Sequence, residues 1–381
     1  MVHRRMPERG KALHACLLAL AVLAPAVEPA APLLAQVSIS PWPAPARAAV
    51  SITFDDAYPS HVFVAAPLLE ERGFRGTFYL IADKLLQRGR FEGVACASVA
   101  AWQGVAARGH EIGSHTLSHV PLDSLPVRSL LEELHVSRRT LEELLPEARI
   151  TSLAYPFSRA DAVTVQFAGY LYTSGRLGPP PVAGAPAHTD PASVDVLGVP
   201  SLFLCGGEEV SRWNAAVNRA VAAGGWLVET VHAVDEPGYC SVPAASLAAH
   251  LDYLARCGGA VWVAPVASVV ERIRQWRQLA MRLTTQSARR ALLEWTAAPP
   301  AGYDWEVSVQ IAQPAEWRLR AADGRRLTPK IAAGSLEFTW SSDLGDGAVL
   351  LERLDSTAVA PSSWALVKER AAASAPSRAI R

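Results

Sequence analysis

Four side chains in two short segments carry the strongest chemical signal in this chain. Asp55 and Asp56 end an apolar run, Val50-Ser51-Ile52-Thr53-Phe54, and His115 and His119 stand four apart in the stretch that begins Gly109-His110-Glu111-Ile112-Gly113-Ser114. One Asp and two His can hold a divalent cation and leave a coordination position open to water. A second Asp beside that water is suited to take its proton. Together they are the apparatus of metal-assisted hydrolysis. Taken singly the pieces are weak, since paired carboxylates after a strand often cap or turn the chain and two such His can line a helix face. The spacing matches the H-E-x-x-H helical metal site, but the intervening Thr116, Leu117 and Ser118 supply no Glu, which argues against a peptidase of that type.

Groups so far apart in sequence need elements that end near one another. Strand-like runs at 48–54, 76–81, 110–114, 150–155, 170–173, 194–199, 226–231 and 260–265 alternate with helical spacing at 62–72, 98–108, 129–145, 163–168, 209–223, 244–257 and 267–282. Repeated β-α alternation predicts a parallel sheet or barrel, whose chemistry gathers at the C-terminal ends of strands. Asp55, Asp56, His115, Tyr155 and His232 each follow such a run. After about residue 285 the pattern changes to β alternation, as in Trp305-Glu306-Val307-Ser308-Val309, with Ala322-Asp323-Gly324-Arg325 as a hairpin turn. The expected organisation is a signal peptide and start of linker at 1–35, a linker at 36–47, an α/β domain at 48–284, a small β-rich domain at 285–365 and a disordered tail at 366–381. The tryptophans Trp295, Trp305, Trp317, Trp340 and Trp364 are dense in the β-rich region; core packing is favoured over sugar stacking.

The chain has 381 residues, half of them hydrophobic, and its 36 basic and 36 acidic residues balance, so no basic surface argues for nucleic acid. Arg4, Arg5, Arg9 and Lys11 precede an apolar stretch from about Ala12 to Ala26, the pattern of a secretory signal. That stretch is short for a membrane span, so no span is expected after cleavage, with an uncleaved anchor as the alternative. The expected location is secreted or periplasmic. Export leaves Cys96, Cys205, Cys240 and Cys257, which allow three disulfide pairings or free thiols. His61, His110 and His135 are read as structural or surface residues, and His188 and His250 have no partner visible in sequence.

Taken in order, these segments resemble the polysaccharide deacetylases, the NodB-homology group within the fourth family of carbohydrate esterases. Phe54-Asp55-Asp56 and Ser114-His115-Thr116-Leu117-Ser118-His119 look like the first two motifs, Leu153-Ala154-Tyr155-Pro156-Phe157 like the third, and Leu227-Val228-Glu229-Thr230-Val231-His232 like the last. The resemblance runs from about Ala48 to Arg282. It implies a distorted (β/α) barrel, NodB-like, of about seven strands, here with a small C-terminal β-rich domain. It implies a divalent metal, usually Zn2+, held by Asp56, His115 and His119, with Asp55 as general base and His232 as the acid that protonates the departing amine. The N–H of Phe157, after Tyr155 and Pro156, would help hold the oxyanion, and Leu227 or Val231 would line the pocket for the acetyl methyl. The implied substrate is an N-acetylated glycan. The alternatives are an O-acetyl carbohydrate esterase and a non-catalytic glycan-binding protein on the same fold.

Two departures stand out. Ala154 or Tyr155 occupies the place of the third motif's Arg, which positions the base, and Phe157 replaces its Tyr. Arg159 is the nearest substitute in sequence. No clear fourth motif is present, although Asp195 falls in its region, and Asp235 could orient His232 instead.

Overall fold

The computed structural model describes residues 36–353, apart from 87–89, 92–93, 181–184, 288, 298–303, 312–313, 333, 341–343 and 345–347. The expected signal peptide at 1–35, the tail at 366–381 and Trp364 lie outside the described residues.

The chain opens with β1 (Gln36–Ile39) and then builds a mainly parallel sheet from β2 (Ala48–Asp55), β3 (Thr77–Leu80), β6 (Glu111–Ser114), β7 (Ser152–Ala154), β8 (Ser174–Arg176), β10 (Leu202–Phe203), β11 (Trp226–Val231) and β12 (Val261–Val263), with β9 (His188–Thr189) antiparallel on β11 and a separate short β4 (Arg90–Phe91)–β5 (Val94–Ala95) hairpin. The sheet order is β10-β11-β2-β3-β6-β7-β8. β12 pairs with the first half of β2 and β3 with its last residues, while β11 pairs along its other edge. β2 is therefore central, and every one of its residues is buried, as a continuous apolar run in a parallel sheet requires. The sheet closes because the chain leading into β10 also pairs with β8, through Val199 N–H to Gly175 O and Leu177 N–H to Val199 O (2.9 and 2.8 Å). This is the distorted barrel of seven main strands.

Helices clothe the outside: α1 (Ala66–Glu70), α2 (Ala82–Leu86), α3 (Val99–Ala107), α4 (Val127–Leu144), α5 (Ala162–Leu171), α6 (Val210–Ala223), α7 (Ala244–Arg256) and α8 (Val266–Gln278). Each carries a local reason for its start or its buried face. Ser98 and Asp161 cap α3 and α5 through Ala101 N–H and Thr164 N–H. α4 turns Leu130, Leu134 and Leu141 inward together with Glu133 and Ser137. α6 stops at Gly224, whose left-handed φ of 70° suits glycine.

Three boundaries differ from the sequence reading. The helix α5 runs through Leu171, so 170–173 is not a strand, and β8 begins only at Ser174. The aromatics at 170 and 172 mimic a strand, but Tyr172 Oη instead donates to Leu134 O on α4 (2.7 Å). Residues 194–199 form turns closed by Asp195 Oδ1, which accepts from Leu197 N–H (2.9 Å), and contribute only the bridge at Val199. Residues 36–39, read as linker, are a strand.

β1 belongs to the C-terminal region, where β13 (Ala280–Ser287), β14 (Arg290–Ala297), β15 (Trp305–Gln310), β16 (Trp317–Ala321), β17 (Arg326–Leu327), β18 (Lys330–Ala332), β19 (Ser335–Trp340) and β20 (Ala348–Arg353) form two antiparallel sheets, β1-β15-β19-β18 and β13-β14-β20-β16-β17. α8 ends at Gln278 and the alternation of Met281 and Leu283 already belongs to β13, so the change of architecture comes before residue 284. Trp305, Trp317 and Trp340 are buried between the sheets. α8 joins this region to the barrel: the buried Arg272 donates to Pro41 O and Asp304 O and lies 3.7 Å from the Trp305 ring centroid, and Trp276 Nε1 donates to Ile39 O. No helix among the described residues is long and apolar enough to cross a membrane.

Candidate active site

Asp55, Asp56, His115, His119, Tyr155, Phe157, Arg176, Phe203, His232 and Tyr239, with Ser158, line one cavity of about 350 Å³ at the C-terminal mouth of the barrel. β2 delivers Asp55 and Asp56, and the chain turns at once, with Asp56 and Ala57 at positive φ. β6 delivers His115, and Thr116 and His119 are also at positive φ. Such conformations are unfavourable for non-glycine residues and persist only where surroundings over-determine them.

Here the surroundings are visible. The buried Glu133 of α4 receives Leu117 N–H and Ser118 N–H, each at 3.0 Å, on one carboxylate oxygen and the Ser118 hydroxyl on the other. His119 N–H donates to Thr116 Oγ1 (3.1 Å). The 115–119 loop is thus anchored from beneath by one carboxylate that the sequence reading passed over as part of an amphipathic helix. Outer partners of metal ligands commonly govern affinity by 10–100-fold. If the neighbouring Asp and His side chains hold a divalent metal, Glu133→Ala is expected to weaken its binding by about 10-fold or more, with Glu133→Gln intermediate. Competition against a chromophoric chelator reads this out, and unchanged affinity in Glu133→Ala would remove the anchoring role.

The three ligand atoms from Asp56, His115 and His119 lie within 4.8 Å of one another. Asp56 Oδ1 is 3.4 Å from His115 Nε2 and 3.5 Å from His119 Nε2. It is buried with no hydrogen-bond partner among the described residues, an arrangement that a cation would satisfy. His115 Nδ1 meets Ala154 O at 2.8 Å, so this nitrogen carries the proton and Nε2 offers its lone pair to the cluster. The donor set fits a divalent metal.

Asp55 is held differently. Its Oδ2 accepts a hydrogen bond from Arg176 Nη2, and both side chains are buried. Arg176 Nη1 also donates to Ser201 Oγ (3.3 Å), and its guanidinium lies 5.4 Å from the Tyr79 ring centroid. Burial pushes the Asp55 carboxyl up, but the Arg176 guanidinium, with His115 and His232, outweighs it and leaves the group below its ordinary value. Asp55 Oδ1 has no hydrogen-bond partner among the described residues. His232 Nε2 stands 3.9 Å from Asp55 Oδ2, and burial pushes its imidazole down against the pull of Asp55 and Asp56.

Arg176 is the residue missing from the sequence reading. It pairs in register with Ala154 on the neighbouring strand, so the guanidinium reaches Asp55 from one strand over at the level where the third motif places its Arg. Arg159 does not serve: it pairs with Asp123 at 3.0 Å and is largely exposed. Asp195 is spent on its own turn. Asp235 does not orient His232, because it is exposed and its Oδ1 accepts from Ala244 N–H at the start of α7 (3.0 Å), while His232 Nδ1 has no partner among the described residues.

Leu227 and Val231 are fully buried in the main core and do not line the cavity. Period two on β11 explains this. Thr230 bonds to Thr53 and Ser201 inside the barrel, and His232 follows on that side. Leu227, Glu229 and Val231 point to the helices, where Glu229 meets His250 (3.0 Å). The cavity's apolar wall comes instead from Phe157, Phe203 and Tyr239. Pro156 is buried and is not part of the cavity lining, whereas Tyr155 lines it and donates from Oη to Leu197 O (2.9 Å).

His61 backs the site, as its Nε2 donates to His232 O (2.8 Å) from among Phe54, Tyr58, Phe78 and Trp102. Burial lowers its imidazole from 6.5 to about 4, against the opposing pull of Asp55 and Asp56. Above pH 6.5 it is neutral folded and unfolded; between 6.5 and 4 only the unfolded chain takes up the proton. The metal-free protein is therefore expected to lose roughly 3 kcal/mol by pH 4 through this group. Urea unfolding in chelator should show a shallower acid slope in His61→Gln, which keeps the donor; an identical slope would contradict this.

Residues 43–172 match the family model described as polysaccharide deacetylase. Among curated proteins, a gellan lyase of Bacillus sp is 26% identical over 156 residues, 41% of this chain and 6% of the relative. YxkH of Bacillus subtilis (strain 168), provisionally named a polysaccharide deacetylase, is 25% identical over 124 residues, 32% of this chain and 42% of the relative. The chain thus spans less than half the length of either relative. Among solved structures, a polysaccharide deacetylase-type protein from Mycobacterium smegmatis aligns with TM-score 0.48 and 19% identity over 65% of this chain and 96% of its own. The Streptococcus pyogenes deacetylase PplD, in complex with acetate, aligns with TM-score 0.35 and 23% identity over 42% and 65%.

Proposed function

We propose that this chain, whose residues 43–172 match the polysaccharide deacetylase family model, is an exported, metal-dependent hydrolase that removes N-acetyl groups from a glycan. The observation that carries this reading is the division of labour at the cavity. Asp56, His115 and His119 bring one ligand atom each to within 4.8 Å of one another, Asp55 stands beside them tied to Arg176, and His232 faces Asp55. The Cys205–Cys240 disulfide supports an oxidising compartment.

A divalent metal, Zn2+ by preference, held by Asp56, His115 and His119 would make a water more acidic and polarise the acetyl carbonyl. Asp55 Oδ1 takes the proton from the attacking water, and Arg176 keeps that carboxylate ionised and aimed. The N–H of Phe157 is offered to the oxygen on which negative charge develops. His232 Nε2 gives a proton to the amine nitrogen as the C–N bond breaks, since an amine leaves poorly without it. Acetate and a free amino sugar result.

The test is acetate release from a panel of N- and O-acetylated glycans by the purified protein with Zn2+, with chelator, and as Asp55→Asn. Release from an N-acetyl glycan that stops in both controls is expected. Release confined to O-acetyl substrates, and insensitive to His232→Ala, would make it an esterase, because an alkoxide depends less on protonation. Metal binding without hydrolysis of any glycan would point to a binding protein.

A further inference from the structure

The loop after β11 is more firmly built than delivering His232 requires. Val234 N–H donates to Ser60 Oγ and Ser60 N–H to Glu236 Oε1 (3.1 and 2.9 Å). Ser241 Oγ donates to Glu236 O (2.7 Å). Val234 bridges Val242. Cys240 is cross-linked to Cys205, in the loop after β10. Gly206 makes the approach of the two loops possible, for a Cβ there would lie 2.2 Å from Ser241 O. The outcome of these ties is the placement of two rings. Phe203, two residues before Cys205, and Tyr239, next to Cys240, both stand edge-on to His232, with centroids at 5.4 and 4.9 Å. Yet Tyr239 remains 52% exposed while lining the cavity.

We infer that Tyr239 is a specificity-determining residue, a stacking platform for the sugar ring that bears the leaving amine, and that the Cys205–Cys240 cross-link fixes the platform. This rests on the deacetylase reading, in which His232 faces the amine. The ring carrying that amine then occupies the His232 side of the cavity, where Tyr239 stands. An aromatic face is a natural partner for the apolar C–H face of a hexose, and a fixed loop avoids the entropy of ordering it on binding. Phe157, after β7, flanks His119 at 4.8 Å across the mouth, so the substrate would lie between two aromatic banks.

The experiment measures binding of, and acetate release from, the N-acetylglucosamine tetramer by wild type, Tyr239→Ala, Tyr239→Phe and the Cys205→Ala/Cys240→Ala double variant, all loaded with Zn2+. Tyr239→Ala is expected to raise Kd and KM about tenfold, the size of one stacking contact. The effect should fall on Kd and KM more than on kcat. Tyr239→Phe should behave as wild type, and the double-cysteine variant should follow Tyr239→Ala. Unchanged Kd in Tyr239→Ala, a fall in kcat without a change in KM, or no tetramer binding by wild type would each overturn the inference. Binding that depends on Tyr239 without acetate release would instead uphold the platform and overturn the deacetylase reading.

Discussion

Replacing Arg176 with Met is expected to lower kcat for acetate release by about 10²-fold and to destabilise the fold by about 3 kcal/mol. Both effects follow from one contact. The carboxylate of Asp55 and the guanidinium of Arg176 are buried together, and Arg176 is further fixed by Ser201 Oγ. Met replaces the apolar stem of Arg176, so the loss reports chiefly the missing guanidinium. It leaves Asp55 buried without its countercharge, the situation in which breaking an internal ion pair costs most. Burial would then dominate the carboxyl and favour its neutral form, which cannot accept a proton. Arg176→Lys keeps the charge but not the planar fork that also reaches Ser201, and should fall between the two. Urea unfolding gives the stability and initial rates give kcat; wild-type kcat in Arg176→Met would remove the positioning role.

Arg176 also shows where sequence reasoning stops. Asp55, Asp56, His115, His119 and His232 were legible because each follows or flanks an apolar run whose end the barrel must bring to one face. Ser174-Gly175-Arg176 offers no such run. Its strand is three residues long, its glycine is needed because a Cβ would lie 2.5 Å from Tyr155 Oη, and its neighbours at 170 and 172 carry the β-like aromatics while lying on or beside a helix. The signal that could have found it is register: a strand following β7 must place some residue opposite Ala154, and a long buried cation at that strand end can reach Asp55. Glu133 was hidden for a related reason, since a charged residue in an amphipathic helix ordinarily faces water and only the tertiary contact with Leu117 and Ser118 turns it into an anchor. The β strands of the C-terminal region were visible by period two, but the pairing of β1 with β15 was not. The partners lie 268 or more residues apart, for example Ile39 with Val307, and nothing local in a Pro- and Ala-rich stretch announces a strand.

The sharpest separation of roles lies between two adjacent carboxylates. Asp55→Asn is expected to retain zinc and lose about 10³-fold in kcat, within the range that a general base contributes. His119→Ala is expected to weaken zinc binding by more than about 10²-fold, beyond what an outer partner typically contributes. The geometry gives the reason. Asp55 Oδ2 is committed to Arg176, and Asp55 lies 3.9 Å from His115 Nε2, whereas Asp56 Oδ1 approaches both histidines to 3.4 and 3.5 Å. Successive residues of a strand end point in different directions, and the positive φ of 77° at Asp56 swings its carboxylate away from its neighbour's. Asp55→Asn also leaves Arg176 without its countercharge, so its stability must be measured beside its rate, and only a folded variant at the assay temperature is informative. Metal content by elemental analysis then decides the assignment. If Asp55→Asn lost zinc as His119→Ala does, Asp55 would be a ligand and the base would have to be sought elsewhere. If it keeps zinc and loses turnover, the proton from water goes to Asp55, and the ion pair with Arg176 is what keeps that acceptor charged in a buried site.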